Sequence, residues 1–269
     1  MEPNSEAGRR DHLQTLERGL VVISAFSHAP TPWLTASDLA RSTGLSVPTV
    51  RRIMLTLERL GYARGSANRF ALTPKVLGLG YAYLASVNLT GAAHPHMEAL
   101  SGELAMGTSL ATLDGTDVVY VDRVQRRLVT SNLLAVGSRL PAHATAMGHV
   151  LLADLDDTEL DHYLSAATLD ALTHQTLDTS ARLRGRLDTV RDRGFEIVDQ
   201  ELEIGRRSAA APVRDASGQV VAALALSCGI GDFSVEVIAG ELVPPLRRTA
   251  DAISRELGHL PGAQAASFS

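Results

Sequence analysis

A single cysteine, Cys228, stands in a chain of 269 residues, so no internal disulfide is available and the core must hold the fold. Aromatic side chains make up only 4% of the residues, which leaves a ligand pocket few rings to stack on. The longest strongly apolar run, Val220 to Ile230, is interrupted by Ser227 and Gly229 and falls short of the ~20 residues that cross a bilayer. The polar start, "MEPNSEAGRRDH", lacks the apolar centre of a secretory signal. These absences point to a cytoplasmic chain without a membrane span. Catalytic motifs are missing as well: there is no GxSxG, no GxxxxGK(S/T) and no HExxH. A GxG at Gly78 to Gly80 lies in a helical stretch with no strand before it, and His94-Pro95-His96 has no further Cys/His cluster. Neither a nucleotide, a metal nor another cofactor is therefore expected.

What is present is an ordinary globular composition, 45% hydrophobic and 20% charged, at a length that suits one large or two ordinary domains. The net charge of -5 is unevenly spread. Residues 1 to 75 carry ten Lys/Arg and six Asp/Glu, or +4, and residues 76 to 269 carry fifteen and twenty-four, or -9. A small basic part on a large acidic one suggests that only the first meets a polyanion, because phosphate contacts supply most non-specific affinity for DNA.

The pattern sharpens that reading. In "DHLQTLERGLVVISAFSHA" apolar residues recur at helical spacing from Leu13 to Phe26, before Pro30 and Pro32. "LTASDLARSTG" predicts a second, short helix with Thr35 or Ser37 as N-cap, Leu39 and Ala40 buried, and Gly44 at its end. "LSVPTVRRIMLTLERLGY" predicts a third, capped by Ser46, with Pro48 tolerated in its first turn and an end near Gly61. Two helices joined by a short Gly-containing turn form a helix-turn-helix, and "YARGSANRFALTP" has the alternating flanks of a β-hairpin wing. Projected at about 100° per residue, Val50, Ile53, Met54, Leu57 and Leu60 share one face of the third helix, while Pro48, Arg52 and Arg59 lie opposite, with Arg51 and Thr56 at the sides. Leu55 projects outward. The first turns of such a helix meet base edges in the major groove. Ser46, Pro48, Thr49, Arg51 and Arg52 are thus the expected readers, and Thr35 and Arg69 complete the DNA-facing set.

Residues 74 to 106 read as helical, with a break around Gly91 to Pro95. Beyond them, "TSLATLD" and "DVVYVDRV" flank Gly115 as a hairpin, and "RLVTSNLLAV" is expected to continue the sheet. Helices are expected from about Thr145, over Asp157 to Leu164, and after Ser180 to Gly194. "FEIVD", "RSAAAPVRD" and "QVVAALALSC" read as strands, followed by a terminal helix bent near Pro244 and Pro245. Alternating strands and helices predict a mixed sheet with helices on its faces. Pocket material lies in "GSRLPAHATAMG" and "ELEIGRRS": Arg139, His143, Thr145, Ala146 and Met147 in the first, Arg206 and Ser208 in the second, with Ser227 on the last strand. An arginine there matches a small carboxylate bidentately, whereas Arg207 and Asp199 have the spacing of a simple ion pair.

The span 13–257, from "LERGLVVISAF" through "LTASDLARSTGLSVPTVRRIMLTLERLGY" to "RGFEIVDQELEIGRRSAAAPVRDASGQVVAALALS", resembles the IclR family of bacterial transcriptional regulators. Within it "ALTPKVLGLGYAYLAS", "TDVVYVDRV" and "VGSRLPAHATAMGHVLLA" are most similar to the branch controlling protocatechuate and 4-hydroxybenzoate catabolism. The resemblance implies an α+β chain. It would comprise a winged helix-turn-helix over 13–74, a linker helix over 75–92 and a GAF-like mixed α/β effector-binding domain over 93–260, with disordered ends at 1–12 and 261–269. It also implies operator DNA as partner, a homodimer that often assembles further into a tetramer, and an effector pocket beside Ala144 to Gly148 and the strand after "GRRS". Arg206 departs from the leucine of the family's "GLRS" and adds a second candidate anchor beside Arg139. The expected function is a ligand-responsive, non-enzymatic regulator sensing an aromatic acid such as 4-hydroxybenzoate or protocatechuate. Shikimate, β-ketoadipate or a 2-oxo acid are the alternatives within that class. Two further classes stand beside it: an enzyme acting on an aromatic acid, for which no nucleophile and base can be paired, and a constitutive architectural DNA binder, for which the large acidic domain has no evident purpose.

Overall fold

The computed structural model describes residues 13–29, 31–79, 89–125 and 134–260, and the chain divides into two compact units between Ser86 and Val87. That division falls within the expected linker, whose residues 80–88 lie outside the described residues, as do the expected disordered ends.

In the first unit, α1 (Gln14–Ser24) runs into a 3-10 turn (Ala25–His28), followed by β1 (Leu34–Thr35), α2 (Ala36–Thr43) and α3 (Val47–Arg59). Thr35 and Asp38 form a reciprocal capping box at α2, and Gly44 ends that helix at φ 69°, a left-handed conformation that glycine adopts without strain. Ser46 caps α3 through the Thr49 N–H. The inward stripe of α3 is Val50 and Met54, flanked by Ile53 and Leu57, against Val22, Leu34, Leu39, Ala63 and Phe70. Each such full burial of a large side chain contributes ~2 kcal/mol. Leu60 does not join this stripe: it sits at the C-cap and is 50% exposed. The apolar spacing of α1 likewise marks its outer face, since Leu13, Leu16 and Leu20 are 72%, 59% and 51% exposed and Val22 carries the packing. The wing is β2 (Ala63–Ser66) and β3 (Arg69–Leu72), joined by Ala67 and Asn68 at φ 46° and 65°, with β1 pairing on the far side of β3. Two positive φ values in a two-residue loop match the twist of a tight hairpin.

The second unit is built on a six-stranded sheet of order β6-β5-β4-β9-β8-β7. Its strands are β4 (Thr108–Asp114), β5 (Asp117–Val124), β6 (Arg139–Pro141), β7 (Glu196–Asp199), β8 (Arg206–Arg214) and β9 (Val220–Gly229). Every described pairing is antiparallel, so the sheet is not mixed. Short hairpins join β4 to β5 and β8 to β9, and the intervening helices do not make parallel crossovers. The strand expected over 127–136 falls largely outside the described residues, and β6 forms further along.

One face carries α5 (Ala146–Ala153), α6 (Asp157–Ala166) and α7 (Ser180–Arg193), whose Met147, Leu152, Leu160, Leu183 and Leu187 are buried with Ala111, Ala210, Ala223 and Ala225 of the sheet. The other face carries α4 (Leu89–Leu104) and α8 (Val243–Glu256), with Met97, Leu100, Leu246 and Ile253 buried. Helix α4 runs unbroken through Gly91 and Pro95, contrary to the expected break. The Pro95 ring points at the carbonyl of residue 91, and glycine there gives the backbone freedom to tilt away. The bend expected at Pro244 and Pro245 is displaced into a π-helical turn, Ile238–Leu242, because the prolines occupy the first turn of α8, where a missing N–H is harmless.

Candidate functional site

The first candidate surface is the outer face of α3 with the wing beside it. Ser46, Pro48, Arg51, Arg52 and Arg69 are exposed and Thr49 and Thr35 half-buried. The Ser46 and Thr49 hydroxyls are 2.9 Å apart and hold the first turn. Thr35 is committed to its capping box, donating to Asp38 Oδ2 at 2.7 Å, an interaction that also holds the Asp38 carboxyl below its usual range. Arg51 Nη1 donates to Asn68 Oδ1 at the wing tip (3.0 Å), and the Gly65 N–H of β2 donates to Glu58 Oε1 (2.8 Å). On the wing, Arg64 lies over the Trp33 ring at 5.1 Å.

The second candidate site lies on the α5 face of the sheet. Side chains alternate along a strand, so Arg206, Ser208 and Ala210 of β8 share one face. The register sets Ser208 opposite Ser227, Ala210 opposite Ala225 and Ala225 opposite Ser109 of β4. The floor is thus made of small side chains. At its margins stand Met147, buried at the start of α5, and Tyr120 of β5. A β-bulge between Leu110 and Ala111 sets Tyr120 opposite Ala111 and Arg123 opposite Ser109. Val121 becomes the extra residue, and Tyr120 and Arg123 come to the same face. Burial pushes the Tyr120 hydroxyl up, while the guanidinium groups of Arg123 and Arg206 pull it down, which brings two cations and a phenol together over the floor. Arg123 also donates to the Leu134 carbonyl. Among the described residues the Arg206 guanidinium meets no hydrogen-bond acceptor and no carboxylate, whereas Arg207 is held by Asp199 Oδ1 (2.9 Å) and the carbonyl oxygens of Ile230 and Phe233.

Other expected residues are engaged differently. Arg139 is not brought to Arg206: it lies at the opposite, hairpin end of β5, donating to Asp114 and to Asp117 at 2.6 and 3.0 Å, and these partners raise its pKa further. Two carboxylates already occupy the fork that a ligand would use. His143 is buried, with Nε2 at 3.1 Å from the Asp170 carbonyl, so its ring is turned from the floor. Thr145 caps α5, accepting from the Gly148 N–H at 3.1 Å. Ala146 and Met147 pack in the cluster that contains Tyr120, Ala210 and Ala225. A cavity of about 440 Å³ between α6 and the β4–β5 turn, lined by Leu113, Thr116, Leu155 and Tyr163 among others, likewise belongs to the hairpin end.

Beneath α5 lies a charged group that no sequence motif announces. His149 Nε2 donates to the His143 carbonyl at 2.7 Å. Its ring also faces Glu196 at 3.7 Å and Glu201 at 3.9 Å, and Arg186 lies 3.1 Å from Glu196 and 3.6 Å from Glu201. Burial raises the Glu201 carboxyl, against the lowering effect of His149 and Arg186. Gly148 lets this helix approach the Ala142–Ala144 turn so closely that an added Cβ would lie 2.0 Å from the Ala142 oxygen. Tyr120, Arg123, Ser109 and this network are the residues that sequence reasoning missed. No group of three or more His, Cys, Asp or Glu among the described residues is arranged to hold a metal.

Comparison with known proteins bears on both surfaces. The IclR helix-turn-helix profile matches residues 15–66 and the bacterial transcriptional regulator IclR C-terminal profile matches 81–255. The Pca regulon regulatory protein of Pseudomonas putida is 41% identical over 254 residues, 94% of this chain and 85% of that protein. The p-hydroxybenzoate hydroxylase transcriptional activator of Acinetobacter baylyi is 29% identical over 255 residues, 93% of this chain and 94% of that one. An IclR homolog from Microbacterium hydrocarbonoxydans, solved in complex with 4-hydroxybenzoate, superposes with a TM-score of 0.80 at 27% identity, covering 90% of this chain and 98% of that one. No helix among the described residues is long and apolar enough to cross a membrane. A capped recognition helix with its wing, an antiparallel sheet between helical layers and a match along nearly the whole length lead to one conclusion: the chain belongs to the IclR family of bacterial transcriptional regulators.

Proposed function

We propose that the protein is a cytoplasmic regulator that binds operator DNA through α3 and the wing and responds to a small organic acid held on the α5 face of the second unit. The carrying observation is the Arg206 guanidinium, which has no hydrogen-bond acceptor or carboxylate among the described residues and shares with Arg123 the face of Tyr120 and of the floor of Ser109, Ser208, Ser227 and Ala225. A carboxylate fits an arginine fork, and a phenol beside it offers a donor to a ring substituent. The 4-hydroxybenzoate in the Microbacterium neighbour, with the likeness to the p-hydroxybenzoate hydroxylase transcriptional activator and the Pca regulon regulatory protein, supports an aromatic acid such as 4-hydroxybenzoate or protocatechuate as the effector. Thr145 and Met147 wall the site and Arg206 anchors the acid, with Arg139 left to its aspartates. On the DNA side Ser46, Pro48, Thr49, Arg51 and Arg52 read the groove, and Arg69 and Thr35 flank it. The exposed Leu13, Leu16 and Leu20 of α1 support a homodimer through the first unit. The linker over 75–92 transmits the response, which requires unequal effector affinity for two arrangements of the assembly.

A second reading rests on there being two guanidiniums rather than one. Arg123 and Arg206 together suit an acid with two carboxylates, such as β-ketoadipate. Thermal unfolding of the full chain against 4-hydroxybenzoate, protocatechuate, shikimate and β-ketoadipate separates the two. A ligand at a hundredfold excess over Kd stabilises by ~2.7 kcal/mol, which is about 5–10 °C for a unit of this size. A shift with an aromatic acid that vanishes in Arg206→Ala and survives in Arg139→Ala supports the first reading. A shift confined to β-ketoadipate supports the second, and no shift with any of them removes the effector site.

A further inference from the structure

Among the described residues two side-chain hydrogen bonds tie the wing to α3, and the outer one reaches the turn itself. Glu58 holds Gly65 on β2, and Arg51, seven residues and about 10 Å earlier along α3, meets Asn68 in the turn at the wing tip. Asn68 sits in a two-residue loop at φ 65°, closed by the Ser66–Arg69 pairing, on a strand whose Phe70 is buried in the core. It is therefore a rigid post. Arg51 uses one N–H of its five donors on that post and keeps the others for DNA.

We propose that Asn68 is a positioning residue for operator recognition, acting through Arg51: it fixes that guanidinium on the groove face and locks the wing in register with α3. This rests on the reading of α3 and the wing as the DNA-binding surface. A free arginine must lose its rotamer freedom on binding, and one already held loses less. The bland alternative is that Asn68 serves only as a turn former, since asparagine tolerates positive φ. Glycine tolerates it as well. Asn68→Gly therefore keeps the turn and deletes only the amide.

The test uses a duplex selected from a random-sequence pool by the wild-type full chain, titrated by fluorescence anisotropy. Asn68→Gly is expected to unfold at the wild-type temperature yet bind the selected duplex roughly two- to tenfold more weakly, with a smaller change on random DNA. Arg51→Ala with Asn68→Gly should be no worse than Arg51→Ala alone, because paired residues are non-additive. Asn68→Asp, which keeps the acceptor, should retain more of the preference for the selected duplex. Wild-type binding by Asn68→Gly, or simple addition of the two effects, overturns the pairing while leaving the DNA-binding surface in place. If the wild type selects no sequence at all, the DNA-binding reading falls and takes this proposal with it.

Discussion

Gly148→Ala provides a measurement in which helix propensity and tertiary packing predict opposite signs. In an ordinary helix interior the change gains ~1 kcal/mol, because alanine has the better propensity. At position 148 the new Cβ would lie 2.0 Å from the Ala142 oxygen and 2.5 Å from its carbonyl carbon and Cα, where ordinary contact begins at 3.4 Å. These neighbours are backbone atoms of the 3-10 turn Ala142–Ala144, so they cannot swing aside as a side chain would. Relief must come from moving α5 away from that turn, which also strains the Thr145 cap on the Gly148 N–H and the His149 bond to the His143 carbonyl. Overpacking alone costs ~1–3 kcal/mol and a weakened cap ~1 kcal/mol; set against the ~1 kcal/mol propensity gain, a net loss of about 2 kcal/mol is expected. For a unit of this size that is ~4–8 °C in Tm. Gly185→Ala, in α7 with nothing within 4 Å of its added Cβ, is the matched control and should gain ~0.5–1 kcal/mol. Circular dichroism melts of the two variants beside the wild type give the answer. A Gly148→Ala melting point within about 2 °C of wild type would show that the turn yields and that the close approach is not what requires glycine there.

Two further outcomes follow from the same geometry. Arg52→Ala should weaken binding to a selected operator duplex by ~1–3 kcal/mol while sparing random DNA, whereas Arg59→Ala, at the far end of α3, should change both by similar small amounts; unchanged selectivity in Arg52→Ala would remove the recognition-helix assignment. Glu201 has a raised folded-state pKa, so its protonated form is the one folding favours: the associated stability is present below the ordinary value of 4.5 and is lost as pH rises through the raised value. Glu201→Gln stays neutral throughout, and its Tm should therefore gain on wild type as the pH is taken from about 4 to about 8; a difference that moves the other way would mean that Arg186 and His149 outweigh burial.

Much of the first unit was legible because its signals are local. Caps at Thr35 and Ser46, a left-handed Gly44 and the inward positions of α3 each depend on residues within one or two turns. Leu60, expected on the inward face, is exposed, as are the outer leucines of α1, because apolar periodicity reports that a helix has a face, not what covers it. In the second unit the hairpin around Gly115 and the strands β7 to β9 were legible, and the longer-range pairing and β6 were not. Arg139 and Arg206 look equivalent in sequence, and only the fold reveals that Arg139 lies between two aspartates while Arg206 meets none among the described residues.

The amino-acid order alone determined the helix-turn-helix, the arginine face of α3 and the division of charge between the two parts, since period, caps and composition are properties of short segments. Tertiary structure decided which polar groups share a surface. A single bulge on β5 turns Arg123 to the side of Tyr120, where strict alternation along "DVVYVDRV" would have put it on the other face. Antiparallel register then carries Ser208, Ser227 and Ser109 from three strands into one floor, and burial beneath α5 converts Glu196, Glu201 and His149 from scattered letters into one charged network. Contacts between residues far apart in the chain depend on closing long loops and on which pairing wins, and no local pattern encodes that choice.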